Sequence, residues 1–285
     1  MENCSCPVPC FMTPLPDENC YSVLCRCIVR EAYSTRRFSF QMFGGKRDLS
    51  RFLFQPFRFD DLSRWFADAE TRQKEYLDRH SVFQYCYPML CKPWQRLIMD
   101  WRNCISLYSS DLKVLTRAVG LSLVPKKDLC YCRECVQEDR RTYGETYWHL
   151  SHQLPGIRLC PIHDVPLNTS AIEISKTRYV LFPADYVLRK DGQDATLEGA
   201  GGKYDETVSK DSMWLIHHGF ELDEEKCSQL RGSVADNVQE KIRAEIQNCT
   251  GSLIDLPCCG SLGLILLCRI LGQPLQNLSK SVSQL

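Results

Sequence analysis

Net charge is what this sequence most plainly lacks: 35 basic side chains stand against 35 acidic ones in 285 residues. A globally basic nucleic-acid binder is thereby excluded, and any DNA contact has to come from a local patch. Long apolar runs are lacking too. The longest, Leu262 to Leu271, is interrupted by Gly263 and Arg269 and falls well short of the ~20 residues a membrane span needs. Met1-Glu2-Asn3-Cys4-Ser5-Cys6-Pro7 has neither a basic n-region nor an apolar core, so no secretory signal is read there and a cytoplasmic location is expected. Catalytic signatures are missing as well. Gly44-Gly45-Lys46 suggests a phosphate loop, but Phe40 stands where its first glycine belongs and Arg47 where Ser or Thr would hold magnesium. Neither H-E-x-x-H nor the H-x-E plus P-C-x-x-C of zinc deaminases occurs, so both zinc-hydrolase readings fail.

What the chain has in quantity is cysteine, 18 residues. In a reducing compartment that favours metal binding and buried thiols over a disulfide framework. Two pairs have ligand spacing: Cys132-x-x-Cys135 and Cys160-x-x-His163, with 24 residues between them. A C-x-x-C turn points two thiolates at one ion, and zinc takes four N or S ligands in a tetrahedron. A structural Cys3His zinc site, closed and without an open position to activate water, is therefore expected from Cys132, Cys135, Cys160 and His163. Cys130 remains an alternative to Cys132, and His149 or His152 to His163. Cys4, Cys6 and Cys10 lack a matching histidine or C-x-x-C and make a weak second site.

The order C-x-x-C, Glu138-Asp139, then Gly144-Glu145-x-Tyr147-Trp148-His149-x-x-His152-Gln153-Leu154-Pro155-Gly156, then Cys160-Pro161-x-His163-x-Val165-Pro166-Leu167 resembles the TniQ/TnsD family of transposon target-site selection proteins. The likeness reaches back more loosely to Pro14 and to Glu18, Tyr21 and Ser22. It implies a non-catalytic, zinc-containing adaptor in DNA transposition. Such a protein selects or marks the target, meets target DNA directly or through an RNA-guided complex, and recruits an AAA+ ATPase regulator. It would be a bacterial protein, nucleoid-associated when acting on DNA. Trp148, His152 and Leu154 would buttress the metal site. The rival reading is a zinc-finger transcriptional regulator unrelated to transposition.

The rest of the chain reads as predominantly α. A tail over 1–12 leads to a helical N-terminal part over 13–125, with room for a helix-turn-helix arrangement. A zinc-finger part follows over 126–170, then a smaller, mostly helical C-terminal region over 171–285 with a linker at 191–212. Asp17 and Glu18 open the first helix, where carboxylates suit the dipole. Asp60 or Asp61 caps a helix running through Leu62, Trp65, Phe66, Ala69, Tyr76 and Leu77. Pro93 opens another (Trp94, Leu97, Ile98, Trp101), and Ser110 or Asp111 a short one ending at Gly120. Ile172 to Phe182 reads as strand. Leu230, Val234, Val238, Ile242 and Ile246 mark an amphipathic helix, and Leu262 to Leu285 an apolar helix with a polar tail. Between Thr35 and Phe66 seven basic residues face three acidic ones, interleaved with aromatics. That pattern reads as a core whose cationic stems cover its rim, with Arg36, Arg37, Lys46 and Arg47, and Arg140 and Arg141 beside the finger, as candidate nucleic-acid or partner contacts.

Overall fold

The computed structural model describes residues 11–90, 92–103, 126–189, 195–197 and 200–230. The helices expected near Ser110 and beyond Leu262, the one expected over Leu230 to Ile246 apart from Leu230 itself, and the Cys4, Cys6 and Cys10 group lie outside those residues. The described chain is mostly helical, as the sequence implied, with a small antiparallel sheet beside the finger. Among the described residues no helix is long and apolar enough to cross a membrane.

Helix α1 (Cys20–Glu31) is enclosed on nearly every side as far as Ile28. Its cysteines act as small packing groups, and burial pushes the Cys20 and Cys25 thiols up, away from reactivity. The start of this helix differs from expectation. Asn19 is the cap, its side-chain oxygen accepting from the Ser22 N–H at 2.9 Å, and the first turn holds no acid. Asn19 satisfies an otherwise unpaired helix donor, which leaves the carboxylates before it for other partners. Asp17 takes a left-handed backbone, φ 56°. Glu18 is bound by Arg26 at 2.8 Å and by the Leu15 N–H at 2.8 Å. Burial pushes the Glu18 carboxyl up to about 7 against the pull of Arg26; with two donors on one oxygen, the pair is ionic above that.

Helix α2 (Thr35–Phe43) is capped by Ser34 and closed by Gly44 at φ 71°. The single helix expected through Asp60 to Leu77 is two, α3 (Phe59–Trp65) and α4 (Ala69–Arg79), because Phe66 turns extended, φ −138° and ψ 141°. Neither Asp60 nor Asp61 caps; the cap position is Arg58. Asp61 is instead fully buried beneath Arg47 at 2.6 Å, Arg64 at 2.8 Å and Arg58 at 3.3 Å. Around it Phe57 meets Tyr76 and Trp65 edge-on, with ring centroids 4.8 and 5.6 Å apart, the geometry aromatic quadrupoles prefer. These rings are core and the arginine stems are its rim, although Phe40 stands out into solvent.

Short α5 (Phe83–Cys86) and α6 (Lys92–Arg102), with Pro93 in its first turn, bury Phe83, Ile98 and Trp101 in a second core. Strand β1 (Asp128–Tyr131) separates the two cores. Leu129 and Tyr131 enter the first and Cys130 the second, with Cys132 beyond the strand following it, as the two-residue period of a strand dictates. The sheet order is β1-β2-β3, with β2 (Asn168–Glu173) central and β3 (Ala195–Thr196) at one side.

The strand expected to reach Phe182 ends at Glu173 and passes into a 3₁₀ turn, Ile174–Arg178. The backbone after it finds side-chain partners in place of a ladder. Tyr21 Oη donates to the Val180 carbonyl and accepts from the Phe182 N–H, both at 2.9 Å, and Thr35 Oγ1 accepts from the Leu181 N–H. The stretch read as a linker contains β3 and, after helix α7 (Arg133–Tyr143), α8 (Leu150–Gln153) and α9 (Ala184–Val187), the first part of the long helix α10 (Lys203–His218). Its polar surface was misleading, since α10 buries Ile216 in the second core and ties Ser209 Oγ to the Leu159 carbonyl at 3.1 Å.

Candidate metal centre

Cys132 follows β1 and occupies the cap position of α7, and Cys135 lies in that helix's first turn. Cys160 and His163 sit on a tight turn closed by Cys160 N–H to Val165 O at 2.8 Å and Asp164 N–H to Cys160 O at 2.9 Å, with Asp164 left-handed. The fold brings one ligand atom from each of the four within 4.8 Å of the others. His163 Nδ1 is 3.7, 3.3 and 3.6 Å from the sulfurs of Cys132, Cys135 and Cys160, and the Cys135 and Cys160 sulfurs are 3.6 Å apart. A tetrahedron built on ordinary zinc bond lengths has S···N edges of about 3.6 Å and S···S edges of about 3.8 Å. The donor set and its spacing fit such an ion.

Burial sharpens the case, because the three cysteines are at most 2% exposed. Hydrogen bonds from Cys135 and then Cys160 pull the Cys132 thiol down, while the same contacts push Cys135 up and Cys132 pushes Cys160 up to about 12. One negative charge is easily held among these sulfurs and three are not. A divalent cation would remove that conflict, since coordination favours the thiolates outright.

Partners that the spacing did not reveal surround the four. Glu138 Oε2 lies 3.3 Å from His163 Nε2, leaving Nδ1 to face the sulfurs, the carboxylate–histidine arrangement that orients metal ligands. His152 Nε2 is 3.9 Å from Cys135 Sγ. Burial and then the charge of His149 lower its pKa to about 3, so it is a neutral ring behind the sulfur. Cys130 is drawn away: its thiol faces the Asp128 carbonyl at 3.5 Å, and its backbone N–H and C=O are both engaged by the Gln153 side chain. Cys135, His149 and His152 also form a close group, but His149 is engaged elsewhere.

Its engagement explains the outlying part of the motif. His149 Nε2 binds Asp139 at 3.1 Å and its Nδ1 lies 3.5 Å from Asp17. Burial lowers the imidazole's pKa, but the bonds and charges of the two aspartates outweigh it and bring it up to about 9. Nearby, Leu150 N–H donates to Asp17 O at 2.6 Å, Asn19 N–H to Trp148 O at 3.3 Å and Trp148 N–H to Ser22 Oγ at 2.9 Å. Glu145 takes Arg26 and Arg30, each at 3.1 Å. The Pro14–Ser22 stretch and the Tyr147–Gln153 stretch thus form one interlocked unit. Of the residues expected to buttress the metal site, His152 lies against Cys135 and Leu154 packs in the same core as the ligand cysteines, whereas Trp148 packs in the first core and donates to the Phe182 carbonyl. The Glu138-Asp139 doublet was the available signal for the missed residues, because each member holds one histidine.

Of the candidate contact residues, Arg36, Arg37, Lys46 and Arg47 line one groove. Arg140 is tied to Asp185 at 3.0 Å and to the Leu188 carbonyl, and Arg141 projects into solvent with Glu138 at 3.9 Å. The two groups do not share a site.

The model of the TniQ family matches residues 9–167, more than half of the chain. Among curated proteins no sequence matches it.

Proposed function

Because the chain belongs to the TniQ family, whose role is target-site selection in transposition, we propose that it is a non-catalytic adaptor that marks an insertion site and recruits an AAA+ transposition regulator. One observation carries this reading. The matched region spends its chemistry on holding itself together: four donors face one another, and the neighbouring acids Asp139 and Glu138 are each set against one histidine, His149 and His163. A closed site of this kind stabilises a surface. In this reading Zn2+ is held by Cys132, Cys135, Cys160 and His163 and supplies folding energy. The clasp presents α1, α2 and the finger as one rigid body. Arg36, Arg37, Lys46 and Arg141 remain for contact with target DNA or with an RNA-guided complex on it, Arg47 being held by Asp61.

The test is capture of an AAA+ transposition-regulator ATPase from the same source, with and without DNA, at low and high salt. Retention of the ATPase by the zinc-loaded protein is expected. Loss of both ATPase and DNA at low salt would overturn the adaptor reading. A steep salt dependence assigns the retained complex to phosphate contacts and a shallow one to protein docking.

A further inference from the structure

A groove of about 1030 Å³ opens between α2, the Gly45–Arg47 loop and Tyr179. Among the described residues lining it are four bases, Arg36, Arg37, Lys46 and Arg47, and no acid. In a chain with no net charge that is a concentration of one sign. Behind it Asp61 is shared by Arg47, Arg58 and Arg64, while Asp48 pairs with Arg178. Arg51 lies among them with its Nε buried and unpartnered, and burial, then Arg47 and Arg58, lower its pKa to about 10. The cations do not serve the helix either. Arg36 and Arg37 sit in the first turn of α2, where positive charge opposes the dipole and no acid compensates.

Two aromatic rings complete the walls. Phe40 is 68% exposed and Tyr179 46%, and Lys46 Nζ stands 4.0 Å over the Tyr179 ring. Both walls are anchored. Leu181 N–H bonds Thr35 Oγ1 at 3.2 Å, Leu49 N–H bonds Arg178 O at 2.7 Å, and Ser39 Oγ donates to Gly45 O at 3.0 Å. A duplex buries the faces of its bases and would leave these rings unused. An unpaired strand offers phosphates and base faces together. We infer that this groove binds single-stranded nucleic acid, with Arg36, Arg37 and Lys46 on the phosphates and Phe40 and Tyr179 against unpaired bases. The inference rests on the target-selection reading only in supposing that nucleic acid is at hand.

The test is fluorescence anisotropy on the full-length, zinc-loaded protein, with a labelled oligothymidine of about 12 nucleotides and a duplex of equal length, over a salt series. Oligothymidine binds more tightly than duplex. Arg36→Gln, Arg37→Gln and Lys46→Gln each reduce the magnitude of the salt slope by about 0.7. The charge-neutral Phe40→Leu weakens binding roughly ten-fold and leaves the slope alone. All four positions are exposed, and zinc content with circular dichroism verifies their folding. A preference for duplex, with Phe40→Leu silent, overturns the inference and assigns the groove to a duplex backbone. Competition by polyglutamate as effective as that by oligothymidine overturns it in favour of an acidic protein. Wild-type protein that captures the ATPase without DNA but fails to hold oligothymidine rejects this inference alone. Protein that holds oligothymidine but not the ATPase leaves it standing while the adaptor reading is weakened.

Discussion

Asp17 and Ser151 lie 134 positions apart in the chain and are joined by a hydrogen bond of 2.5 Å, Ser151 Oγ donating to Asp17 Oδ2. Asp17 accepts the Ser151 backbone N–H as well and faces the charged ring of His149. The entrance to α1 is thereby fastened to the segment that follows α7, across two parts of the sequence that otherwise look independent.

Removing the carboxylate should therefore cost more than one hydrogen bond. Asp17→Ala strands buried donors on Ser151 and leaves His149 one counter-charge short, and alanine tolerates φ 56° poorly. A loss of about 3–5 kcal/mol is expected in denaturant unfolding of the zinc-loaded protein. Asp17→Asn keeps the shape and accepts the left-handed backbone, and should lose about half as much. Equal losses from the two would show that the charge, which both variants remove, carries the whole effect; no loss from Asp17→Asn would show that charge does not matter here.

His149 gives this clasp a pH dependence. Its pKa is brought from the ordinary 6.5 up to about 9 in the fold, so the protonated ring stabilises the native state. That contribution is whole below about pH 6.5 and is lost as pH rises through about 9, some 3 kcal/mol in all. His152, lowered to about 3, acts in the opposite window and weakens the fold as pH falls from 6.5. Melting at saturating zinc between pH 6.5 and 9 should show a falling Tm in the wild type. Asp139→Asn, which withdraws one of the two counter-charges, should flatten that slope; an unchanged slope would rule His149 out as its source.

Much of this was legible in the residues, and what was not has physical causes. The Cys132, Cys135, Cys160 and His163 quartet is local in spacing, whereas the alternation at Leu129 to Tyr131 that sorts two cores is too short to be read as a strand without its partner β2. The place of Asp17 and Glu18 was misread because capping chemistry is competitive: either acid could have started a helix, and Asn19 next door did. Tyr179 to Phe182 has strand composition, yet a ladder needs a neighbouring strand, and the side chains of Tyr21 and Thr35 took those backbone groups instead. Pairings such as Arg47 with Asp61, or His149 with Asp139, depend on which elements meet in space. No periodicity records that.

The metal should contribute folding energy in its own right. We expect one zinc per chain, and Cys160→Ser should lose the ion and expose the second core, into which Cys160 and Leu167 both pack. Cobalt substitution would report the tetrahedral S3N set by its visible absorption. Glu138→Gln touches no sulfur and should lower zinc affinity about 10- to 100-fold by releasing His163 Nε2. A metal-free wild-type protein that unfolds cooperatively at the same denaturant midpoint would remove the ion from the account.

A last expectation concerns a residue beyond the matched region. Gly219, directly after α10, has an ordinary helical backbone, φ −57°, so nothing in its conformation demands glycine. Space does. A Cβ there would lie 1.9 Å from the Gln84 carbonyl oxygen, and that oxygen belongs to α5, which cannot swing aside like a side-chain tip. Gln84 also ties the two helices together by donating to the Ile216 carbonyl at 2.6 Å. Gly219→Ala should force α10 away from α5 and lose that bond, destabilising the protein by about 2–4 kcal/mol. Gly45→Ala, with open space around its Cβ position and no left-handed backbone, is the matched control and should leave unfolding within about 0.5 kcal/mol of wild type. Similar denaturation midpoints for the two variants would show that α10 is not held against α5 in solution. A drop confined to Gly219→Ala makes α10 part of the same cooperative unit as the finger.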